Sequence, residues 1–197
     1  TKEVEKMNIF FVEVLPDKAA KALCEKHCVK MILESCQMMV SGLRTNGVSV
    51  DSDWKVTHVN HPMTKWVTES KANFQWLALH AKALCEEYTS RYNKRHACED
   101  LVDSIMHSSM EGYPDIGFTD VPLCMPDEFK TVEFRNPVPR EIEDMESYQP
   151  VEYHVLDRVP IARAVGFYRT YYHSKTFAKW EKGTPAPDWW QGVEVTA

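Results

Sequence analysis

Glycine is scarce in this 197-residue chain: there are seven, each standing alone. Loops that cradle phosphate with bare backbone amides need clustered glycines, which argues against a P-loop or a dinucleotide-binding turn. Cysteines at C-x-x-C spacing and an HExxH helix are also missing, so the standard zinc frameworks are not met. No apolar run approaches the roughly 20 residues needed to cross a bilayer. The opening TKEVEKMNIFFVEV lacks the layout of a signal peptide, and there is no internal repeat. The chain is therefore expected to be cytoplasmic, away from membranes, with no metal and no other cofactor.

Its length suits one domain with a real core. The six cysteines (Cys24, Cys28, Cys36, Cys85, Cys98, Cys124) do not form a secreted disulfide pattern and read as free thiols. A net charge of −6 conceals strong segregation. Residues 111–157 hold twelve acids and three bases; residues 54–96 hold seven Lys/Arg against three acids, and residues 163–182 five against one. An acidic protein of this kind can still present basic surface to a polyanion.

The pattern predicts a mainly α single domain over residues 1–197, with three or four main helices. A short N-terminal strand (Asn8–Leu15) or small hairpin and a long irregular Pro-rich segment complete it. A helix is expected over 17–40, capped by Asp17 and ending at Gly42. The Asn46-Gly47 turn suggests a hairpin or extended loop over 43–60. A second long helix starts at Pro62, with His61 as cap, and runs to about Asn93 with a kink near Ser70. Shorter helices are expected over 98–106 and 161–180. Residues 1–6 read as a flexible leader, 108–159 as an acidic irregular insertion, and 184–197 as an extended tail.

Two polar stripes carry chemistry. On the first long helix, His27, Lys30 and Glu34 share a face of an otherwise apolar element, where ions are costly unless paired or functional. A carboxylate beside an ammonium and an imidazole can act as base or activate an amine; the alternative is a simple i,i+4 ion pair. On the second, Glu69, Asn73, His80, Glu87 and Arg91 fall within one arc beside Trp66 and Trp76. With His58, His61 and Lys65 at the start of that helix, this reads as a substrate-binding cleft wall. A polar seam packed on the acidic segment is the other reading. Glu34, His27, Lys30 and Glu69 are the candidate catalytic residues. In the C-terminal YRTYYHSK, Tyr172 and Lys175 are candidates for stacking and phosphate contact.

The blocks HCVKMILESCQMM, HVNHPMTKWVTESKANFQWL, LCEEYTSRYNKRH and YRTYYHSKTFAKW resemble a family of phage proteins. The layout also resembles the small helical pyrimidine-dimer DNA glycosylases: an acidic residue on an early helix, a His-led second helix, and a Tyr-Tyr-rich basic C-terminal helix. That resemblance implies chemistry on a DNA base in an infected host cell, by excision or by base-modifying group transfer. It further implies an N-terminal amine nucleophile beside a buried Glu, a role that Glu34 matches and for which Thr1 is the small N-terminal residue. The base would be flipped out and stacked on Trp66 or Trp76. DNA or a nucleotide is thus the expected partner. The rivals are an enzyme on free nucleotides, and a non-enzymatic protein that sequesters a nucleotide or binds a host protein through its acidic segment.

Overall fold

The computed structural model describes residues 7–130 and 159–192. The leader 1–6, the centre of the acidic insertion and the end of the tail lie outside the described residues. Within them the fold is mainly α: α1 (Pro16–Ala22), α2 (Glu25–Thr45), α3 (Pro62–Glu69), α4 (Lys71–Tyr92), α5 (Glu99–Met106) and α6 (Val159–His173), with one 3-10 turn at Asp127–Phe129. The three long helices, α2, α4 and α6, contribute to one large apolar cluster. No strand occurs among the described residues, and none of their helices is long and apolar enough to cross a membrane. All six cysteines are free and buried.

The first correction concerns Asn8–Leu15, which is buried and irregular rather than a strand. The Asn8 side chain accepts from the backbone amides of Ile9 (2.9 Å) and Phe10 (3.1 Å), a local turn that competes with extended pairing. Phe10 then takes a left-handed φ of 60°, rare for a bulky residue. With no neighbouring strand, side chains satisfy this segment's carbonyls. Arg169 Nε donates to Val12 O (2.8 Å), Trp76 Nε1 to Val14 O (3.0 Å), and His80 Nδ1 to Pro16 O (2.9 Å). A buried Arg169–Glu13 pair at 2.8 Å adds a charge clamp.

The second correction divides the helix expected over 17–40. The chain is extended at Leu23 and Cys24, between α1 and α2. No glycine or proline marks this break in sequence; tertiary partners hold it open. Arg91 donates to Leu23 O (2.7 Å) and Lys21 O (2.9 Å), while the Cys24 amide donates to the Tyr172 hydroxyl (2.9 Å). α2 also continues past Gly42 to Thr45, because the glycine is there for space: a Cβ at this position would collide with the Tyr113 hydroxyl. Of the hairpin or loop expected over 43–60, the loop is present after the turn at Asn46–Gly47, and Ser41 Oγ bonds both backbone groups of Thr57 (2.9 and 3.0 Å).

His61 caps α3 as expected, its ring nitrogen accepting from the Met63 amide at 3.1 Å. The kink expected near Ser70 is a complete break, with Ser70 extended at φ −146° and ψ 137°. α6 stops at His173, short of the expected 180. There His173 Nδ1 takes Arg169 O (2.7 Å) and Ser174 Oγ takes Tyr171 O (2.6 Å). The chain beyond folds back: the His173 ring stacks on Trp190 with centroids 5.0 Å apart, and Thr184 bonds Glu87 (2.9 Å).

Arg91 holds the α1–α2 break while its Nε is paired with Glu87 at 2.9 Å, and its side chain is almost fully buried. Arg91→Met leaves Glu87 and two carbonyls short of partners, so a loss of about 3–5 kcal/mol is expected. Chemical denaturation measures it directly; a loss below about 1 kcal/mol contradicts this role.

Candidate functional site

Glu34 is the one ionisable group of α2 held inside the protein with an amine beside it. Its carboxylate is almost fully buried. One oxygen accepts from the Asn8 backbone amide (3.1 Å), the other from Lys30 Nζ (3.1 Å), and Lys30 itself is half exposed. Burial raises the Glu34 pKa above the usual carboxylate range, opposed by Lys30, the Asn8 amide and the nearby His58. A carboxyl of this kind holds its proton more tightly than one in water.

Lys30 opens onto a cleft of about 450 Å3. It is lined by Lys26 and Phe177, by Tyr171 and Lys175 at the end of α6 and just beyond it, and by Glu128 and Phe129, whose ring packs on Tyr171 at 5.1 Å. Beneath it lies His27, stacked on Phe10 with ring centroids 4.4 Å apart and edge-on to Phe177 at 5.3 Å. Its Nδ1 meets the Tyr172 hydroxyl at 2.9 Å. That hydroxyl also accepts from the Cys24 amide, so it ties the His27 ring to the start of α2. Burial, then Lys175, Lys30 and Lys26, lower the His27 pKa to about 3. The ring is therefore a neutral support under a cationic rim.

The second stripe lies elsewhere. Asn73, Trp66, Trp76, His80 and Arg91 are all buried. Asn73 bonds Trp66 O and Thr119 Oγ1 (both 2.8 Å), Trp66 Nε1 donates to Thr119 O (3.1 Å), and exposed Glu69 accepts from the Thr119 hydroxyl. Trp76 and His80 stack on one another at 5.1 Å while holding the N-terminal segment. Of the two readings of this arc, a cleft wall or a polar seam, its burial and its bonds to backbone fit the seam. Indoles filling the core offer no face to a flipped base, and polar groups already bonded to backbone have little left for a ligand. The arc is a polar seam. Its lower half meets the acidic segment at Thr119, and its upper half meets the 12–24 backbone.

Tyr172 is fully buried, so it supports His27 instead of reaching a ligand, whereas Lys175 lines the cleft. His58 is exposed at a left-handed φ of 52°, with its ring on the Thr57 hydroxyl at 2.8 Å. His61 is engaged as a cap, its pKa lowered by burial and by His58, and Lys65 lies exposed on α3. No group of three or more His, Cys, Asp or Glu suited to a metal occurs among the described residues.

Sequence reasoning missed Asn8, Phe10, Lys26, Phe129, Tyr171 and Phe177. Lys26 had a usable signal, standing one helical turn before Lys30 on the same face. Tyr171 lies in the last turn of α6, and the others follow turns and loop ends that carry no periodicity.

The site spans residues 8 to 177, and comparison with known proteins covers its first part. Residues 7–100 match the family model described as pyrimidine dimer DNA glycosylase. The match covers just under half of the chain and bears out the resemblance expected from the helix layout. It contains Asn8, Lys26, His27, Lys30, Glu34 and His58, and it ends before Phe129, Tyr171, Lys175 and Phe177. No curated protein and no solved structure matches the chain.

Two imidazoles in this region stay neutral through burial: His27, and His80 with its pKa lowered to about 4. Unfolded, both take up a proton near pH 6.5; folded, they resist it. The unfolded state therefore binds more protons as pH falls below about 6.5, and each histidine removes up to about 1.4 kcal/mol per pH unit. Melting temperature is expected to fall steadily from pH 7 to pH 5. A His27→Asn/His80→Gln double variant should start lower and fall less steeply. An unchanged slope in that variant speaks against this account.

Proposed function

We propose that this protein acts on a base in DNA by glycosylase-like excision, with Lys30 as the nucleophilic amine and Glu34 as its proton acceptor and donor. The observation that carries the reading is the 3.1 Å contact between the buried, raised-pKa Glu34 carboxyl and Lys30 Nζ, whose residue lines the cleft. The similarity of residues 7–100 to pyrimidine dimer DNA glycosylases supports the reaction class. The half-exposed amine can reach a sugar, while the buried acid is shielded from water.

The chemistry balances with these two groups. Glu34 takes a proton from the Lys30 ammonium, and the free amine bonds to C1′ of the target nucleotide. The C1′–N glycosidic bond breaks, its electron pair leaves with the base, and solvent protonates the base. The nitrogen bonded to C1′ is now a secondary ammonium, and it gives one proton to solvent in place of the one the base took up. The proton on Glu34 then passes to the sugar ring oxygen as the C1′–O bond of the ring breaks, and the nitrogen lone pair forms the iminium between Lys30 and C1′. A flipped-out or single-stranded nucleotide is required, because C1′ of a stacked pair is not accessible to a short side chain.

One observation supports a second source for the amine. The Asn8 backbone nitrogen also lies 3.1 Å from Glu34, where a chain processed to begin at Asn8 would carry its α-amine. Peptide mapping of a borohydride-trapped DNA adduct separates the two: attachment at Lys30 supports the first reading, attachment at residue 8 the second. Group transfer to the base leaves C1′ intact and yields no adduct.

Glu34→Gln is expected to lower excision by roughly 10²–10⁴-fold. It should not destabilise the fold at alkaline pH. A buried carboxyl with a raised pKa favours the folded state at low pH and loses that contribution as pH rises through the folded pKa. The variant should therefore melt at or above the wild-type temperature at pH 8, with the difference shrinking towards pH 4. A variant that retains activity removes Glu34 from the mechanism.

A further inference from the structure

We propose that Phe177 is the platform on which the base of the nucleotide in the cleft stacks, in place of Trp66 or Trp76. The excision reading above supplies the identity of this ligand, and the inference rests on it. Phe177 lines the same cleft as Lys30 and is 39% exposed. Among the described residues it is the only Phe, Tyr or Trp left exposed, whereas Trp66 and Trp76 are buried. Keeping a phenyl ring out of the core forgoes the gain from burying it.

The ring is open to solvent and yet held in place. It rides on the turn that follows α6, which the Ala178 amide closes by donating to Lys175 O (3.0 Å). The Lys175 amide ties that turn to the helix by donating to Tyr172 O (3.0 Å). The His27 ring stands nearly perpendicular to Phe177, at 79° with centroids 5.3 Å apart, and is itself stacked on Phe10 at 4.4 Å. A ring fixed in this way loses little freedom when a base packs on it. Lys26 Nζ lies 4.3 Å from the ring centroid, at the end of a flexible and exposed stem. An exposed cation–π contact is weaker than base–aromatic stacking, so an incoming base displaces the ammonium from the ring. Stacking needs only π surface, and it asks nothing of Lys30, which stays paired with Glu34 at 3.1 Å. Pro126, Phe129 and Tyr171 add apolar lining, and a cleft of about 450 Å3 has room for a nucleotide.

A base reaches the ring as part of a strand or as a free nucleoside, and binding without turnover separates the two. The probes are a short fluorescent dT oligomer and an abasic oligomer of the same length, both measured by anisotropy, and thymidine, measured by calorimetry. The two oligomers carry the same phosphates, so only the bases differ. With a strand as ligand, Phe177→Leu binds the dT oligomer at least about five-fold more weakly, the low end of base–aromatic stacking, and binds the abasic oligomer as before. Phe177→Trp, which keeps a π face, retains the wild-type affinity. With a free nucleoside as ligand, the same pattern of loss and retention appears on thymidine. Equal losses on the two oligomers overturn the platform, as does undiminished binding of both dT and thymidine by Phe177→Leu. The trapped adduct reads the excision step separately. An adduct alongside undiminished binding by Phe177→Leu sinks the platform alone, whereas a dT affinity that depends on Phe177 without any adduct sinks the excision mechanism alone.

Discussion

The fold depends on a stretch of buried backbone that has no secondary structure of its own. Residues 8–16 cross the core, and a buried carbonyl without a partner costs about as much as a lost hydrogen bond. A sheet would meet that requirement with a neighbouring strand. Here the partners are an indole, an imidazole and a guanidinium, from Trp76, His80 and Arg169. Arg91 does the same for the last carbonyls of α1. Each donor sits on a helix, so the helices are locked to the segment, and through it to one another. The placement of Asn8 beside Glu34, and of Phe10 beside His27, follows from that locking.

This explains how the polar arc of α4 was legible and also misleading. Spacing correctly placed Asn73, His80, Glu87 and Arg91 on one face, and correctly marked that face as unlike ordinary solvated surface. Residue types alone do not distinguish donors aimed at a substrate from donors aimed at the chain's own carbonyls, because the chemistry of recognition is the same. The long helices were legible from apolar periodicity and from Pro62. The break at Leu23–Cys24 was not, since it is made by Arg91 and Tyr172, far away in sequence. The Asn8–Leu15 strand was expected from its β-branched and aromatic residues, and was lost because a strand requires a partner, which none of the other described residues supplies.

The Lys30–Glu34 pair on α2 was legible for a physical reason. Lys30 and Glu34 stand four residues apart, so the helix itself brings them together, and the apolar residues around them show that the pair is partly buried. Local geometry settles such a contact before any tertiary structure forms. The rest of the cleft has no local logic. Tyr171 ends a helix, Phe177 lies in a turn, and Lys175 reaches the site only because α6 stops at His173. The aromatic contacts of Trp189 and Trp190 with Tyr172 and His173 then hold the returning chain in place.

The contact between His27 and Tyr172 bridges 145 positions of sequence. A chain emerging from the ribosome therefore carries Lys30 and Glu34 well before the residues of α6 and beyond that line the same cleft. Glu25 and Glu87 fasten that later segment by accepting from the Glu181 amide and the Thr184 hydroxyl. A molecule in which the segment frays keeps its Lys30–Glu34 pair and loses the cleft around it.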